Sequence, residues 1–136
     1  MLGEYDLNQS VKDWIIETVA AGYEVRFPEK NQLFIDIDTE AQYDTFLKMV
    51  QVLTNNNRGI VKIEVSPSKS GLPKQHAVVT LDCGLTGLER VTLQACLGSD
   101  PVREYLSYVR ILRGVETPTI FQEAPGWEKN VIQIKR

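Results

Sequence analysis

The sequence predicts an α+β fold in which a largely antiparallel sheet is covered on one face by helices. Three observations carry that expectation. Apolar periodicity switches back and forth between helical and strand spacing along the chain. The strand-like runs come in pairs separated by turn-rich segments. No repeat, low-complexity stretch or long linker interrupts them.

Val11, Trp14, Ile15, Thr18 and Val19 recur at helical spacing after Ser10, a helix-start residue, and Gly22 is a stop, so a helix is predicted from about Ser10 to Ala21. Tyr23 to Phe27 alternates like a strand, Pro28 to Gln32 has turn composition, and Leu33 to Asp38 (LFIDID) is strand-like again, which predicts a hairpin. Thr39 and Gln42 have capping-box spacing, and Tyr43, Phe46, Leu47, Val50 and Leu53 form an apolar stripe, so a second helix starts directly after Asp38. Asn55 to Gly59 reads as a loop. Ile60 to Val65 is a strand whose hairpin partner is Ala77 to Leu81. Thr86 to Leu97 is helical with Gly98 as its stop. Asp100 followed by Pro101 reads as an N-cap with a first-turn proline, and Val102, Tyr105, Leu106, Val109 and Leu112 make the apolar stripe of a further helix ended by Gly114. Thr119 to Phe121 and Val131 to Ile134 supply short strands around a Pro125-Gly126 turn.

A chain of 136 residues with 43% hydrophobic content is one domain with a real core. A formal charge of -3 and a pI near 5.2 argue against a protein that coats nucleic acid by bulk electrostatics, so any such contact would be a local patch. Cys83 and Cys96 lack CxxC spacing, which suggests neither a structural zinc site nor a disulfide framework. The N-terminal MLGEYDLNQ is polar and acidic where a signal peptide is basic then apolar, and no apolar run reaches membrane-spanning length. A soluble protein of the reducing cytoplasm, with no membrane partner, is expected.

Two segments carry chemistry. In a strand, Asp36 and Asp38 point to one side, roughly 6 to 7 Å apart, while Leu33, Ile35 and Ile37 take the other side for packing. Two carboxylates can then converge on one cation; the plainer alternative is a solvated strand end with acids guarding against edge pairing. Hard cations such as Mg²⁺ use one or two carboxylates plus substrate phosphates, so this pair suffices. The second segment, Ser66 to His76 (SPSKSGLPKQH), offers Ser66, Ser68, Ser70, the backbone around Gly71, Lys69 and Lys74 as donors for a triphosphate, or else is simply a polar hairpin connection. There is no GxSxG elbow to anchor Ser70, His76 and Asp36 as a hydrolase triad, and no Walker or Rossmann glycine loop.

An acidic DxD strand (FIDID), a Ser/Gly segment running to a histidine that opens another strand (SPSKSGLPKQHAVV), and a later aspartate with arginines downstream (GSDPVREYLSYVRILRG) follow in that order from Leu33 to Gly114. The order resembles the archaeo-eukaryotic primase superfamily, in particular the primase-polymerases of phages and mobile elements that act in DNA replication. The resemblance implies an RNA-recognition-motif-like sheet covered by helices, in which Asp36, Asp38 and Asp100 are catalytic and hold Mg²⁺ or Mn²⁺. It also implies that Ser68, Lys69, Ser70, Lys74, His76 and Arg110 bind the phosphates of an incoming nucleoside triphosphate, with single-stranded or primed nucleic acid as template. The cytoplasm would be the host's if the chain is phage-encoded. The sequence departs from the pattern in placing Lys74 where the family usually has a serine, in a longer loop, and in lacking zinc-binding or helicase parts. Asp100 is also fully explained as an N-cap. Arg103 and Arg110 share one helix face, and Arg113, among apolar positions, reads as a partly buried cap. The competing reading is a noncatalytic module of the same fold that binds nucleic acid or protein through its sheet, with Tyr23 and Phe27, or through Arg58, Lys62, Lys69 and Lys74.

Overall fold

The computed structural model describes residues 7–55, 59–68, 71–114, 121–123 and 130–133. In chain order they form α1 (Leu7–Ala20), β1 (Glu24–Arg26), β2 (Gln32–Ile37), α2 (Glu40–Asn55), β3 (Ile60–Pro67), β4 (Gln75–Leu81), α3 (Gly87–Cys96), α4 (Pro101–Leu112), β5 (Phe121–Glu123) and β6 (Asn130–Gln133). Four strands make one sheet in the order β2-β4-β3-β6, every pair antiparallel, and β1 with β5 makes a two-stranded sheet. The fold is α+β with helices packed on an antiparallel sheet, as expected. No helix among the described residues is long and apolar enough to cross a membrane.

Alternation along the strands fixes the core. Leu33, Ile35 and Ile37 of β2, Ala77, Val79 and Leu81 of β4, and Ile63 and Val65 of β3 turn to one face, where Phe46 and Val50 of α2 and Leu97 after α3 close over them. Each of these side chains larger than Ala77 contributes about 1.5–3 kcal/mol by leaving water. On the opposite face Phe34 and Val78 form a small second cluster. The guanidinium of Arg26 lies 5.7 Å from the Phe34 ring centroid and pairs with Glu64 at 3.0 Å.

The expected capping box at the start of α2 is present: the Gln42 amide N–H donates to Thr39 Oγ1, and Gln42 Oε1 accepts from the Thr39 N–H. Thr86 and Glu89 make a second box at α3. The β3-β4 hairpin also forms as expected.

Four expectations need correction. The run from Tyr23 to Phe27 does not make a hairpin with Leu33–Asp38. β1 pairs with β5, and β2 pairs with β4. The other edge of β2 is occupied by side chains from the α3-α4 region, which leaves no ladder for β1 to join. Helix α1 starts at Leu7, ahead of Ser10, and its Val19 is exposed rather than packed. The stripe of α4 is inverted: Val102, Tyr105, Leu106 and Leu112 face solvent, while Glu104 and Ser107 are buried. Arg113 is the C-cap residue of α4 as expected, but it is exposed. The short strands near the end fall at Phe121–Glu123 and Asn130–Gln133; the Pro125-Gly126 turn and most of the Asn55–Gly59 loop lie outside the described residues.

The inversion of α4 follows from what it packs on. As an edge strand, β2 turns alternate backbone groups away from β4, and buried backbone polar groups require partners. Each finds one. The Gln32 N–H donates to the Glu29 carbonyl, and the Gln32 carbonyl accepts from Arg90 Nε at 2.9 Å. The Phe34 N–H donates to Gln94 Oε1 at 2.8 Å, and its carbonyl accepts from Arg103 Nη2 at 2.8 Å. The Asp36 N–H donates to Ser99 Oγ at 2.9 Å, and its carbonyl accepts from the Asp100 N–H at 2.9 Å. The Asp38 N–H donates to Gln42 Oε1. An apolar α4 face would leave part of this edge unsatisfied.

Candidate metal centre

Asp36 is in the last turn of alternation of β2, Asp38 follows the strand, and Asp100 caps α4. They meet because of two local devices. Helix α3 ends in a Schellman motif: the Gly98 N–H donates to the Ala95 carbonyl and the Ser99 N–H to the Gln94 carbonyl, both at 3.1 Å, with Gly98 at φ +85°. That turn swings Ser99 and Asp100 onto the strand edge, where the Asp100 N–H to Asp36 carbonyl bond holds the two residues together. Asp100 Oδ2 accepts from the Arg103 N–H at 3.4 Å, so Asp100 is indeed an N-cap as well.

Carboxylate oxygens of Asp36, Asp38 and Asp100 lie within 4.8 Å of one another, and all three residues are half-buried. Burial pushes the Asp36 carboxyl up from its ordinary 3.8 to about 6; Arg103 pulls the other way without cancelling it, and Asp38 and Asp100 push further upward. Arg103 is the built-in counter-cation. Its guanidinium bonds Ser99 Oγ and the Phe34 carbonyl and stands 3.9 Å from Glu104, a buried acid that also accepts from Gln94 Nε2.

His76 stands opposite Asp36 in the β2-β4 register, and Ser66 stands opposite His76 in the β3-β4 register, which sets a row of three polar side chains across the sheet. His76 Nε2 is 3.8 Å from Asp36 Oδ1, beyond hydrogen-bond range. Burial, and then Arg103, pushes its pKa down to about 4, so at neutral pH the ring is uncharged and the pair is not ionic. Ser68 is buried, and its N–H donates to the Lys74 carbonyl, closing the base of the β3-β4 loop; Lys74 itself is exposed. Lys69 and Ser70 lie outside the described residues, as does Arg58. Arg110 is half-buried in the last turn of α4, about 15 Å along the helix from Asp100. Lys62, from the alternative basic patch, pairs with Glu64 at 3.1 Å. Phe27 is exposed and Tyr23 half-buried.

No family model, curated protein or solved structure matches this chain. Three oxygen donors within reach of one another are the right chemistry for a hard divalent cation. These residues therefore fit Mg²⁺ or Mn²⁺. The sequence reading did not find Arg90, Gln94, Ser99, Arg103 or Glu104 as the frame of the site. Their signal is present as polar residues at helical spacing, Arg90 with Gln94 and Arg103 with Ser107, on helices that otherwise read as amphipathic.

Proposed function

We propose that this chain binds a nucleoside triphosphate with Mg²⁺ or Mn²⁺ and acts as a primase-polymerase-like nucleotidyltransferase on a nucleic-acid template. The observation that carries the reading is the convergence of the Asp36, Asp38 and Asp100 carboxylates from two separate elements. Those three residues would hold the cation, which when bound would orient phosphate oxygens and neutralise their charge. The uncharged His76 ring beside Asp36 can donate an N–H to a phosphate oxygen without adding charge. Lys74, exposed just before β4, would supply a cation for the same phosphates. Arg103 fixes the strand end and limits the net negative charge of the cluster.

The test has two arms. Calorimetric titration with Mn²⁺ should give metal-dependent heat in the wild type, and the heat should fall at least about tenfold in apparent affinity in Asp36→Asn and Asp38→Asn. No heat with or without nucleotide defeats the metal reading. Labelled-nucleotide incorporation on single-stranded and primed DNA should yield product from the wild type and none from Asp36→Ala/Asp38→Ala.

A second reading is favoured by one feature: the acid cluster already contains Arg103, and Asp100 already serves as a cap. On that reading the cluster is structural and the chain is a noncatalytic nucleic-acid- or protein-binding module. Salt-sensitive DNA binding that survives in the double variant, without product, supports it.

A further inference from the structure

Glu104 is the residue around the acid cluster that packing explains least. An acid in the first turn of α4 suits the positive end of the helix dipole, but an exposed one would serve that purpose equally well. Glu104 is instead 3% exposed, on the inner side of α4 against Gln94 of α3. Its Oε1 accepts from Gln94 Nε2 at 2.8 Å, while Oε2, buried and without a hydrogen-bond partner among the described residues, stands 3.9 Å from Arg103 Nη1. A buried carboxylate is costly unless a charge or hydrogen bonds compensate it. Burial pushes the Glu104 carboxyl up from its ordinary range, and Arg103 is the strongest pull against that rise.

The same guanidinium faces the cluster. Its Nη2 bonds the Phe34 carbonyl and its Nη1 bonds Ser99 Oγ, which fixes it at the β2 edge. Burial pushes the Arg103 pKa down, and of the acids that push it back up Glu104 acts most strongly, ahead of Asp36, Asp100 and Asp38. One positive charge is therefore shared by four acids, and the largest share falls on the acid that lies outside the cluster.

We propose, resting on the metal reading above, that Glu104 is a positioning residue for the cation of the acid cluster: it engages the Arg103 guanidinium and so leaves Asp36, Asp38 and Asp100 dependent on a divalent ion from solution. Without a competing acid, a guanidinium fixed this close to three carboxylates would act as their permanent counter-ion, and a dication would have to bind against its charge. With Glu104 ionised, that charge is largely offset and the cluster stays anionic. Glu104 thus raises metal affinity without touching the metal.

Two conservative substitutions separate this role from one in packing. Glu104→Gln keeps the size and an acceptor for Gln94 and loses the charge; Glu104→Asp keeps the charge and loses size. Far-UV circular dichroism establishes that each is folded. In calorimetric titration with Mn²⁺ at neutral pH, apparent affinity should weaken about five- to tenfold in Glu104→Gln and by less than about threefold in Glu104→Asp. A role in packing alone predicts the opposite order, because the isosteric change disturbs the interior least. Wild-type affinity in Glu104→Gln would overturn the proposal, and so would a loss of more than about threefold in Glu104→Asp, whatever Glu104→Gln does. Wild-type protein that takes up no Mn²⁺ would instead defeat the metal reading itself, and the role of Glu104 with it.

Discussion

On the face of the sheet under α2 and α3, Leu33, Ile35 and Ile37 meet Phe46, Val50 and Leu97, apolar against apolar. At the outer edge of the same strand, the partners are Arg90, Gln94, Ser99 and Arg103, and each contact is a directed hydrogen bond. One strand thus belongs to two interiors. The apolar one depends on volume and tolerates any side chain that fills the space. The polar one depends on particular atoms, since a lost partner strands a buried backbone group at its full desolvation cost. Only the second reaches the acid cluster, because the bonds that satisfy β2 are the ones that bring Ser99 and Asp100 to its end.

The sharpest way to separate the two interiors is a matched pair of substitutions. Phe46→Ala should lose about 3–5 kcal/mol, while Phe46→Leu should lose about 1–2, because volume is what matters there. Gln94→Met keeps the volume at a fully buried site, yet it should lose about 2–3 kcal/mol by leaving the Phe34 N–H and the Glu104 carboxylate without their amide. Urea denaturation of the three proteins makes the comparison. If Gln94→Met costs less than Phe46→Leu, the edge is not held by its hydrogen bonds and the distinction fails.

This difference also explains what could be read from the sequence. The Leu33, Ile35, Ile37 alternation, the Thr39-Gln42 box and the β3-β4 hairpin are local patterns whose spacing alone fixes them, and they were legible. The pairing of β1 was not, because a strand of three residues carries no register information and its partner, β5, lies far along the chain. The α4 stripe misled for a physical reason: amphipathicity tells which face is apolar, not which face is inward, and a strand edge can make the polar side the buried one. For the site, Asp36, Asp38 and Asp100 were legible as a cluster candidate, and their proximity is observed. Arg103 was legible only as sharing a face of α4 with Arg110; the Gly98 stop shows in the sequence, but the role of Arg103 depends on the edge of β2 left open to side chains, which residue types do not show.

The smallest expected effect tests the electrostatics where the two interiors join. Asp36 has its pKa raised from 3.8 to about 6, so the folded state holds that proton more tightly than the unfolded one; the resulting destabilisation is complete above about pH 6 and is relieved as pH falls toward 3.8. His76 has its pKa lowered from 6.5 to about 4, so the unfolded state takes up the proton first and stability is lost as pH falls through the same window. Between pH 7 and pH 5 each group shifts stability by on the order of 1–2 kcal/mol, in opposite directions, and the two largely offset each other. Asp36→Asn removes the gain and leaves the loss. Relative to wild type it should be more stable at pH 7, and that advantage should shrink by on the order of 1–2 kcal/mol by pH 5. The difference between the two urea profiles isolates Asp36, since Glu104 and the other acids are common to both proteins. A constant difference across the range would mean that Asp36 is not strained by its burial and neighbours. A metal-loaded protein should show the reverse, because cation binding requires the ionised carboxylate: Mn²⁺ should stabilise the wild type at pH 7, lose that effect toward pH 5, and do little at either pH for Asp36→Asn.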